Sequence, residues 1–245
     1  MYVYGRNVLR EILALPDGRV KVKKLFFTDQ ENVDRDLKRL QEESRRRGWK
    51  VETTRPERLF DLCREKKNQG VVVDIKDFPY AELEDILSSI DSKPSSTLVV
   101  LDQVQDPHNL GAIIRTAAAA GGDGIIIGVH SSAEVTPAVA KVSSGLVFRL
   151  AVARVVNIAS TLEKLKKRGY WTYASATGGE NLWEIEFAPR SVLVFGNENE
   201  GVRRLVRERA DHLVSIPMEA GVDSLNVAAA AAVFLYERRR KAAAG

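Results

Sequence analysis

The stretch from residue 97 to residue 127 constrains the fold of this chain more than any other. It reads as a buried apolar strand (98–101), a polar turn with the sequence DQVQDPHN, a helix (110–120) that stops at two glycines, and a second apolar strand (124–127). Strand, helix and strand in this order predict a parallel βαβ unit. Such a unit places its chemistry in the loop after the first strand.

This loop and its helix carry the first candidate site residues. Asn109 lies at the start of the helix, His108 precedes it, and Arg115 lies within the apolar segment LGAIIRTAAAA. A buried arginine is costly unless it meets an anion or a carboxylate. Arg115 is therefore either a site residue or half of a buried ion pair with Asp102 or Glu198. His108 is interpreted as a loop residue.

Two later stretches complete a pattern. VLVFGNENEGV (192–202) reads as a strand, a glycine-framed turn and the start of a charged helix, and IPMEAGVDSLNVAAAAAVFLYE (216–237) as a polar loop before an alanine-rich helix. In order and spacing the three stretches resemble the three motifs of the SpoU, or TrmH-like, RNA ribose 2′-O-methyltransferases of the SPOUT superfamily. The motif positions are matched by Asn109, Gly111 and Arg115, then Gly196, Glu198 and Gly201, then Ser224, Leu225 and Asn226.

The resemblance extends over nearly the whole chain and divides it. Residues 1–78 are similar to the substrate-binding domain of the longer family members, 79–94 to their linker, and 95–245 to the methyltransferase domain. In the first part, helices at 3–15, 35–47 and 55–63 alternate with strands at 22–28, 50–53 and 70–75, which predicts a small α/β domain. The resemblance implies that it has an L30e-like fold.

The second part also alternates strands and helices. Strands are predicted at 98–101, 124–127, 171–174, 192–195 and 213–216, with helices at 136–142 and 157–168 among those between them. The pattern predicts a mostly parallel sheet with helices on both faces, as in a Rossmann domain. The resemblance implies instead a SPOUT α/β domain with a deep C-terminal trefoil knot. Neither G-x-G-x-x-G nor a P-loop sequence is present.

The resemblance implies a methyl donor, S-adenosylmethionine, held largely by main-chain groups. Adenine needs hydrogen-bonding groups at its edge and an apolar slot. The predicted cofactor-binding residues are Ala176, Gly196, Ile216, Met218 and Leu225. Alternatively, Gly196 and Gly201 serve only to form the turn in the stretch 192–202. Many family members have glycine where this chain has asparagine at position 199, and residues 144–150 also depart from the family pattern.

The predicted catalytic residues are Arg115, Asn109, Glu198, Ser224 and Asn226. The resemblance implies that Arg115 is central: a guanidinium is a poor base, but it can orient a ribose 2′-hydroxyl, hold a phosphate and stabilise alkoxide charge. Asn109 could orient Arg115 or the ribose, and Glu198 could fix Arg115 or bind the nucleoside. The alternatives are a helix cap for Asn109, Ser224 and Asn226 and a surface charge for Glu198.

Composition limits the remaining possibilities. The single cysteine, Cys63, excludes an internal disulfide framework and favours the cytoplasm, and with three histidines it leaves no credible metal site. Residues 1–78 hold 19 basic and 14 acidic side chains, whereas the rest holds 18 and 19. This excess predicts that the first part binds RNA phosphates, although a solvated surface would look the same. Binding to membranes or DNA is not expected.

The resemblance is strongest to the subfamily that methylates a guanosine ribose in 23S rRNA, and it implies a homodimer that uses the alanine-rich helix. From the residues alone, packing of this helix within one chain is equally consistent. Alternative functions are an antibiotic-resistance rRNA or a tRNA 2′-O-methyltransferase of the same family, or a non-catalytic RNA-binding protein with this fold. The basic run at 238–241 fits a helix C-terminus without any further role.

Overall fold

Aromatic and β-branched residues at the start of the chain form a strand. In the computed structural model, which describes residues 1–29, 34–197 and 200–244, strand β1 (Tyr2–Tyr4) pairs antiparallel with β4 (Val71–Ile75). The helix predicted over residues 3–15 is too long at its N-terminal end, because helix α1 is Arg6–Ala14. Pairing with β4 overrides the local helical pattern of residues 3–5.

The following elements alternate as the sequence predicts. They are β2 (Val22–Thr28), α2 (Arg35–Arg46), β3 (Val51–Thr54) and α3 (Pro56–Cys63). The four strands form a sheet in the order β1-β4-β2-β3, in which β2 and β3 are parallel and the other pairs antiparallel. Successive valines of β4 are fully buried, so both faces of this strand are covered.

A later segment packs with this sheet, and together they form one compact unit, Met1–Pro79 with Val135–Arg149. Helix α6 (Pro137–Val142) carries Lys141, whose ammonium lies 5.6 Å from the ring centre of Tyr4 and donates a hydrogen bond to the carbonyl of Lys67 at 3.2 Å. Phe148 is buried beside Phe78, with ring centres 5.7 Å apart. Residues 135–149 lie in the predicted second domain, and no sequence pattern indicates this packing.

The second unit, Tyr80–Glu134 with Leu150–Gly245, contains a six-stranded sheet. Its strands are β5 (Ser96–Asp102), β6 (Gly124–Gly128), β7 (Ala151–Val155), β8 (Trp171–Asn181), β9 (Arg190–Gly196) and β10 (His212–Ser215). Their order is β10-β8-β9-β5-β6-β7, and every pairing within the described residues is parallel. The predicted α/β fold with a mostly parallel sheet is confirmed; the L30e-like fold and the trefoil knot stay predictions. Strand β7 was not predicted, because it is a short edge strand that contains a charged residue.

Helices lie before, between and after these strands. They are α4 (Leu83–Ile90), α5 (Pro107–Ala120), α7 (Ile158–Lys167), α8 (Arg204–Arg209) and α9 (Val227–Ala244). The two central strands, β5 and β9, are almost entirely buried, and their last residues, Asp102 and Gly196, lie side by side. The loops that follow two parallel strands at this edge therefore meet, which is where α/β sheets bind their ligands. No helix in the described part of the chain has the length and apolar character of a membrane span.

Candidate functional site

Strand β8 leaves the sheet for several residues beside β10. Up to Ala174 the two strands pair in register, but the next pair is Glu180 with Val214, so residues 175–179 protrude. A Cβ added to Gly179 would overlap the backbone of β10, which explains the glycine at the point where the strand rejoins the sheet. Extra residues in one strand form a β-bulge, and bulges are frequent next to active sites. Residues 175–177 line the cavity described below.

The turn after β9 is closed by its own backbone. The amide of Asn197 donates to the carbonyl of Gly201 at 3.0 Å, and the amide of Gly201 donates to the carbonyl of Asn197 at 2.8 Å. A Cβ on Gly196 would overlap the backbone of Gly201, so this close approach requires glycine. The side-chain amide of Asn197 also donates to the carbonyl of Gln103 at 3.0 Å. The turn is thereby fixed to the loop after β5.

An ion pair holds the same two loops together. Asp102 is fully buried, and its carboxylate accepts hydrogen bonds from the Nε of Arg203 at 2.8 Å and from the backbone amide of Arg203 at 2.9 Å. A terminal nitrogen of this guanidinium lies 2.6 Å from the carboxylate. The suggested pairing of Asp102 with Arg115 is therefore wrong, because Arg203 satisfies this buried charge.

The turn after β9, the bulge of β8 and the segment between β10 and α9 line a cavity of about 340 Å³. All five residues predicted to bind the methyl donor line it: Ala176, Gly196, Ile216, Met218 and Leu225. They come from three separate regions of the sequence, and the fold brings these regions together around one cavity. That these residues contact a cofactor stays a prediction.

The lining fits a nucleoside joined to a charged amino acid. Phe195, Val202 and Val227 contribute apolar surface of the kind that a purine ring packs against, and Ser175 and Thr177 contribute hydroxyls. The volume falls in the range of small-molecule sites, roughly 300–1,000 Å³. The residues present therefore suit S-adenosylmethionine in chemistry and in size.

Two of the predicted catalytic residues meet at the start of α9. The side-chain amide of Asn226 donates to the Oδ1 of Asn109 at 3.0 Å. The Oδ1 of Asn226 accepts from the backbone amides of Ala228 and Ala229 at 2.9 and 3.4 Å. Asn226 thus caps α9, as the capping alternative predicted, and it also connects α9 to α5.

The suggested capping role of Asn109 is wrong. Helix α5 begins earlier than predicted, at Pro107, and its cap is Asp106, whose carboxylate accepts from the backbone amide of His108 at 2.8 Å. Asn109 lies within the first turn of the helix, and its side chain points to Asn226 instead.

The other predicted catalytic residues have different surroundings. Ser224 is exposed and lines the cavity. Arg115 is exposed on α5, is not among the cavity-lining residues, and makes no hydrogen bond or ion pair with the part of the chain that the structure describes. The premise that this arginine is buried is wrong. Glu198, predicted to be catalytic, and Asn199, the departure in the turn, lie outside the described residues.

Several lining residues were missed by sequence analysis. Thr177 lies in the bulge of β8, and the cavity also receives three charged residues: Glu200, Arg207 and Asp223. The paired glycines at 178 and 179 were a usable signal, because glycine inside a strand pattern often marks a bulge. The charged residues carried no distinctive pattern. Within the described ranges, no group of three or more His, Cys, Asp or Glu residues could hold a metal ion.

Comparison with known proteins covers both parts of the chain. The model of the SpoU rRNA methylase family matches residues 96–236. The model of the RNA 2′-O ribose methyltransferase substrate-binding domain matches residues 2–81. The cavity-lining segments all fall within the first of these matches.

Individual relatives extend this similarity. The chain is 41% identical over 191 residues to the 23S rRNA (guanosine-2′-O-)-methyltransferase RlmB of Pseudomonas syringae, with 76% of each chain covered. It is 35% identical over 242 residues to YacO of Bacillus subtilis, whose name refers to the TrmH family of tRNA/rRNA methyltransferases, with 98% of this chain and 95% of YacO covered. The structure of an AdoMet-bound rRNA methyltransferase from Sinorhizobium meliloti matches with a TM-score of 0.80 at 28% identity, covering 98% of this chain and 86% of that one.

Proposed function

Since the chain belongs to the SpoU rRNA methylase family and is an S-adenosylmethionine-dependent RNA 2′-O-methyltransferase, we propose that its target is a guanosine ribose in 23S rRNA. The similarity to RlmB, which by its name has this target, carries the proposal. The excess of basic residues in positions 1–78 supports a role of this part in binding RNA phosphates. We expect the protein to act in the cytoplasm, where rRNA is accessible.

The cavity between the β8 bulge, the Gly196 turn and the start of α9 is our proposed cofactor site. Gly196 and Ile216 would offer main-chain groups, while Met218 and Leu225 would cover the purine. When bound, the cofactor supplies a methyl group on a positively charged sulfur. The protein must bring a ribose hydroxyl to this methyl in line with the bond that breaks, and position it there.

Arg115, Ser224 and Asn109 are assigned to positioning the RNA. The exposed guanidinium of Arg115 is available to hold a phosphate and to stabilise negative charge on the 2′-oxygen. Ser224 lines the cavity and can contact the nucleotide there. The hydrogen bond between Asn109 and Asn226 holds the first turns of α5 and α9 together.

We also propose a homodimer whose sites use both subunits. On α9, Ala229 and Tyr236 are exposed and Ala232 is half-buried, whereas Phe234 and Leu235 are buried in the chain's own core. Residues three and seven positions apart share one helix face, so this face is free for a partner. Because Arg115 does not line the cavity of its own chain, a role beside the cofactor of the other subunit is consistent with its position.

Two experiments test the dimer. Sedimentation should show a dimer that Ala229→Glu converts to monomers. Mixing inactive Arg115→Ala subunits with subunits defective in cofactor binding should restore activity, because each mixed dimer then has one intact composite site. A fully active wild-type monomer would contradict both ideas.

The substrate is tested by transfer of radiolabel from S-adenosylmethionine to purified 23S rRNA and to total tRNA, followed by mapping of the modified nucleotide. The proposal expects one labelled guanosine in 23S rRNA. Label in tRNA would support the tRNA alternative. A site in 23S rRNA whose methylation prevents binding of an antibiotic would support the resistance alternative.

A further inference from the structure

Four arginines lie at the start of α8 and along it, and they differ in their partners. Three of them pair with carboxylates: Arg203 with Asp102 at 2.6 Å, Arg204 with Glu208 at 3.5 Å, and Arg209 with Glu163 at 2.8 Å. Arg207 makes no ion pair or side-chain hydrogen bond with any described residue, and among these four it is the one that lines the cavity. An ordinary solvated helix face does not explain why the unpaired arginine is the one at the cavity.

The charges that line the cavity form a specific set. The described residues contribute two carboxylates, from Glu200 and Asp223, and one guanidinium, from Arg207. S-adenosylmethionine carries the opposite set, with positive charge on the sulfonium and the ammonium and negative charge on the α-carboxylate. The cavity is therefore complementary in charge to the whole amino-acid portion of the cofactor. The guanidinium is the group that matches the carboxylate.

We propose that Arg207 binds the α-carboxylate of the amino-acid portion of S-adenosylmethionine and so distinguishes the complete cofactor from nucleosides that lack this portion. This inference rests on the proposed placement of the cofactor in the cavity. Arginine suits the task because its planar fork can form two parallel hydrogen bonds to a carboxylate. Loss of a charge-assisted hydrogen bond of this kind lowers affinity by at least about tenfold.

Calorimetry with two ligands isolates this contact. S-adenosylhomocysteine keeps the amino-acid portion, and 5′-methylthioadenosine lacks it. Arg207→Met keeps a long aliphatic side chain and removes the charge. We expect this variant to bind S-adenosylhomocysteine at least about tenfold more weakly than the wild type, with unchanged affinity for 5′-methylthioadenosine. Arg207→Lys should recover part of the loss.

The matched control is Arg204→Met on the same helix. Arg204 does not line the cavity and pairs only with an exposed carboxylate within the described residues, so both affinities should stay unchanged. Equal weakening of both ligands by Arg207→Met would overturn the proposal, since the effect would then not depend on the carboxylate. Unchanged binding of both ligands would overturn it as well, and if RNA affinity alone fell, Arg207 would be a phosphate contact.

A cavity-blocking variant separates this proposal from the placement of the cofactor. Ala176 lines the cavity from the bulge and is half-buried, so Ala176→Trp should abolish binding of both ligands in a protein that stays folded by circular dichroism. If Ala176→Trp leaves both affinities unchanged, the cofactor binds elsewhere. If it abolishes binding while Arg207→Met has no effect, the cavity is the cofactor site and only the role of Arg207 is wrong.

Discussion

The fold holds the cavity wall and the proposed RNA-contacting residues in different ways. The wall is fixed by backbone and buried groups: the closed turn at Gly196, the bulge of β8, and the pair of Asp102 with Arg203. Arg115, in contrast, is exposed and has no partner among the described side chains. The proposed cofactor cavity is therefore formed within one chain, whereas the group expected to act on the ribose needs RNA or a second subunit to be positioned.

This contrast makes a general prediction about substitutions. Changes in the wall should alter stability and cofactor affinity together, because the same contacts hold the loops and shape the cavity. Changes at Arg115 should alter turnover alone.

The largest effect is expected from Arg115→Ala. Loss of a group that stabilises charge on the reacting oxygen typically lowers turnover by about 100-fold or more. The free energy of unfolding should change by less than about 0.5 kcal/mol, because the side chain is exposed. Methyl transfer at saturating RNA, thermal unfolding and calorimetry with S-adenosylhomocysteine measure the three quantities. Wild-type turnover would remove Arg115 from the mechanism, and a large loss of stability would show a structural role.

Gly196→Ala should weaken cofactor binding at least about tenfold and destabilise the protein by about 1–3 kcal/mol, since the new Cβ overlaps the backbone of Gly201. The control is Gly169→Ala, where the φ of +81° is strained for alanine but no atom lies within 4 Å of the added Cβ. This control variant should have a lower free energy of unfolding than the wild type and an unchanged affinity for the cofactor. Equal affinities in the two variants would show that the turn does not shape the cofactor site.

Asp102→Asn tests the buried pair. It removes the charge that Arg203 neutralises and should destabilise the protein by about 2 kcal/mol, less than the roughly 3–5 kcal/mol typical of a fully buried pair, because Arg203 is half exposed. Cofactor affinity should fall as well, since the pair holds the turn. Glu208→Gln, which breaks the exposed pair with Arg204, should cost less than about 0.5 kcal/mol. If Asp102→Asn and Glu208→Gln lower the free energy of unfolding equally, the pair of Asp102 with Arg203 is not what fixes the turn after β9.

The sequence predicts elements best where local pattern and burial agree. Strand β2 was predicted at residues 22–28 and has these bounds. The start of α5 was placed three residues late, although Asp106 followed by Pro107 is a recognisable cap and first-turn proline. The polar residues of the turn obscure this signal, because they favour a loop over residues 102–109.

Other features depend on contacts between distant parts of the chain, and no local pattern encodes them. The partner of Asp102 lies 101 residues later. Residues 135–149 have an ordinary helical pattern, and their packing with the first sheet depends on contacts such as Lys141 with Tyr4. The residues predicted to bind the cofactor do line one cavity, which leaves their role a prediction, whereas Arg207 belongs to no motif and is recognised only from its place in that cavity.

The smallest effect is expected at the base of the β8 bulge, where Asp211 joins the starts of β8 and β10. Its carboxylate accepts from the amide and the hydroxyl of Thr172 at 2.9 and 2.7 Å and lies 2.6 Å from the ammonium of Lys166. Burial alone would raise the pKa of Asp211, but the hydrogen bonds from Lys166 and Thr172 outweigh it and lower the pKa.

Because the pKa of Asp211 is lower in the folded protein than in the unfolded chain, the ionised carboxylate stabilises the fold above the unfolded pKa of about 3.9. This contribution is lost as the pH falls through the lower, folded value. Asp211→Asn should therefore destabilise the protein by about 1 kcal/mol at pH 7, a figure that allows for screening of this partly exposed group. Denaturant unfolding should show this difference shrinking below about pH 4, with cofactor affinity at pH 7 close to that of the wild type. A stability difference that grows as the pH falls would contradict the lowered pKa. A large loss of cofactor affinity would show that the cavity wall depends on the contacts of Asp211 as well as on the closed turn at Gly196.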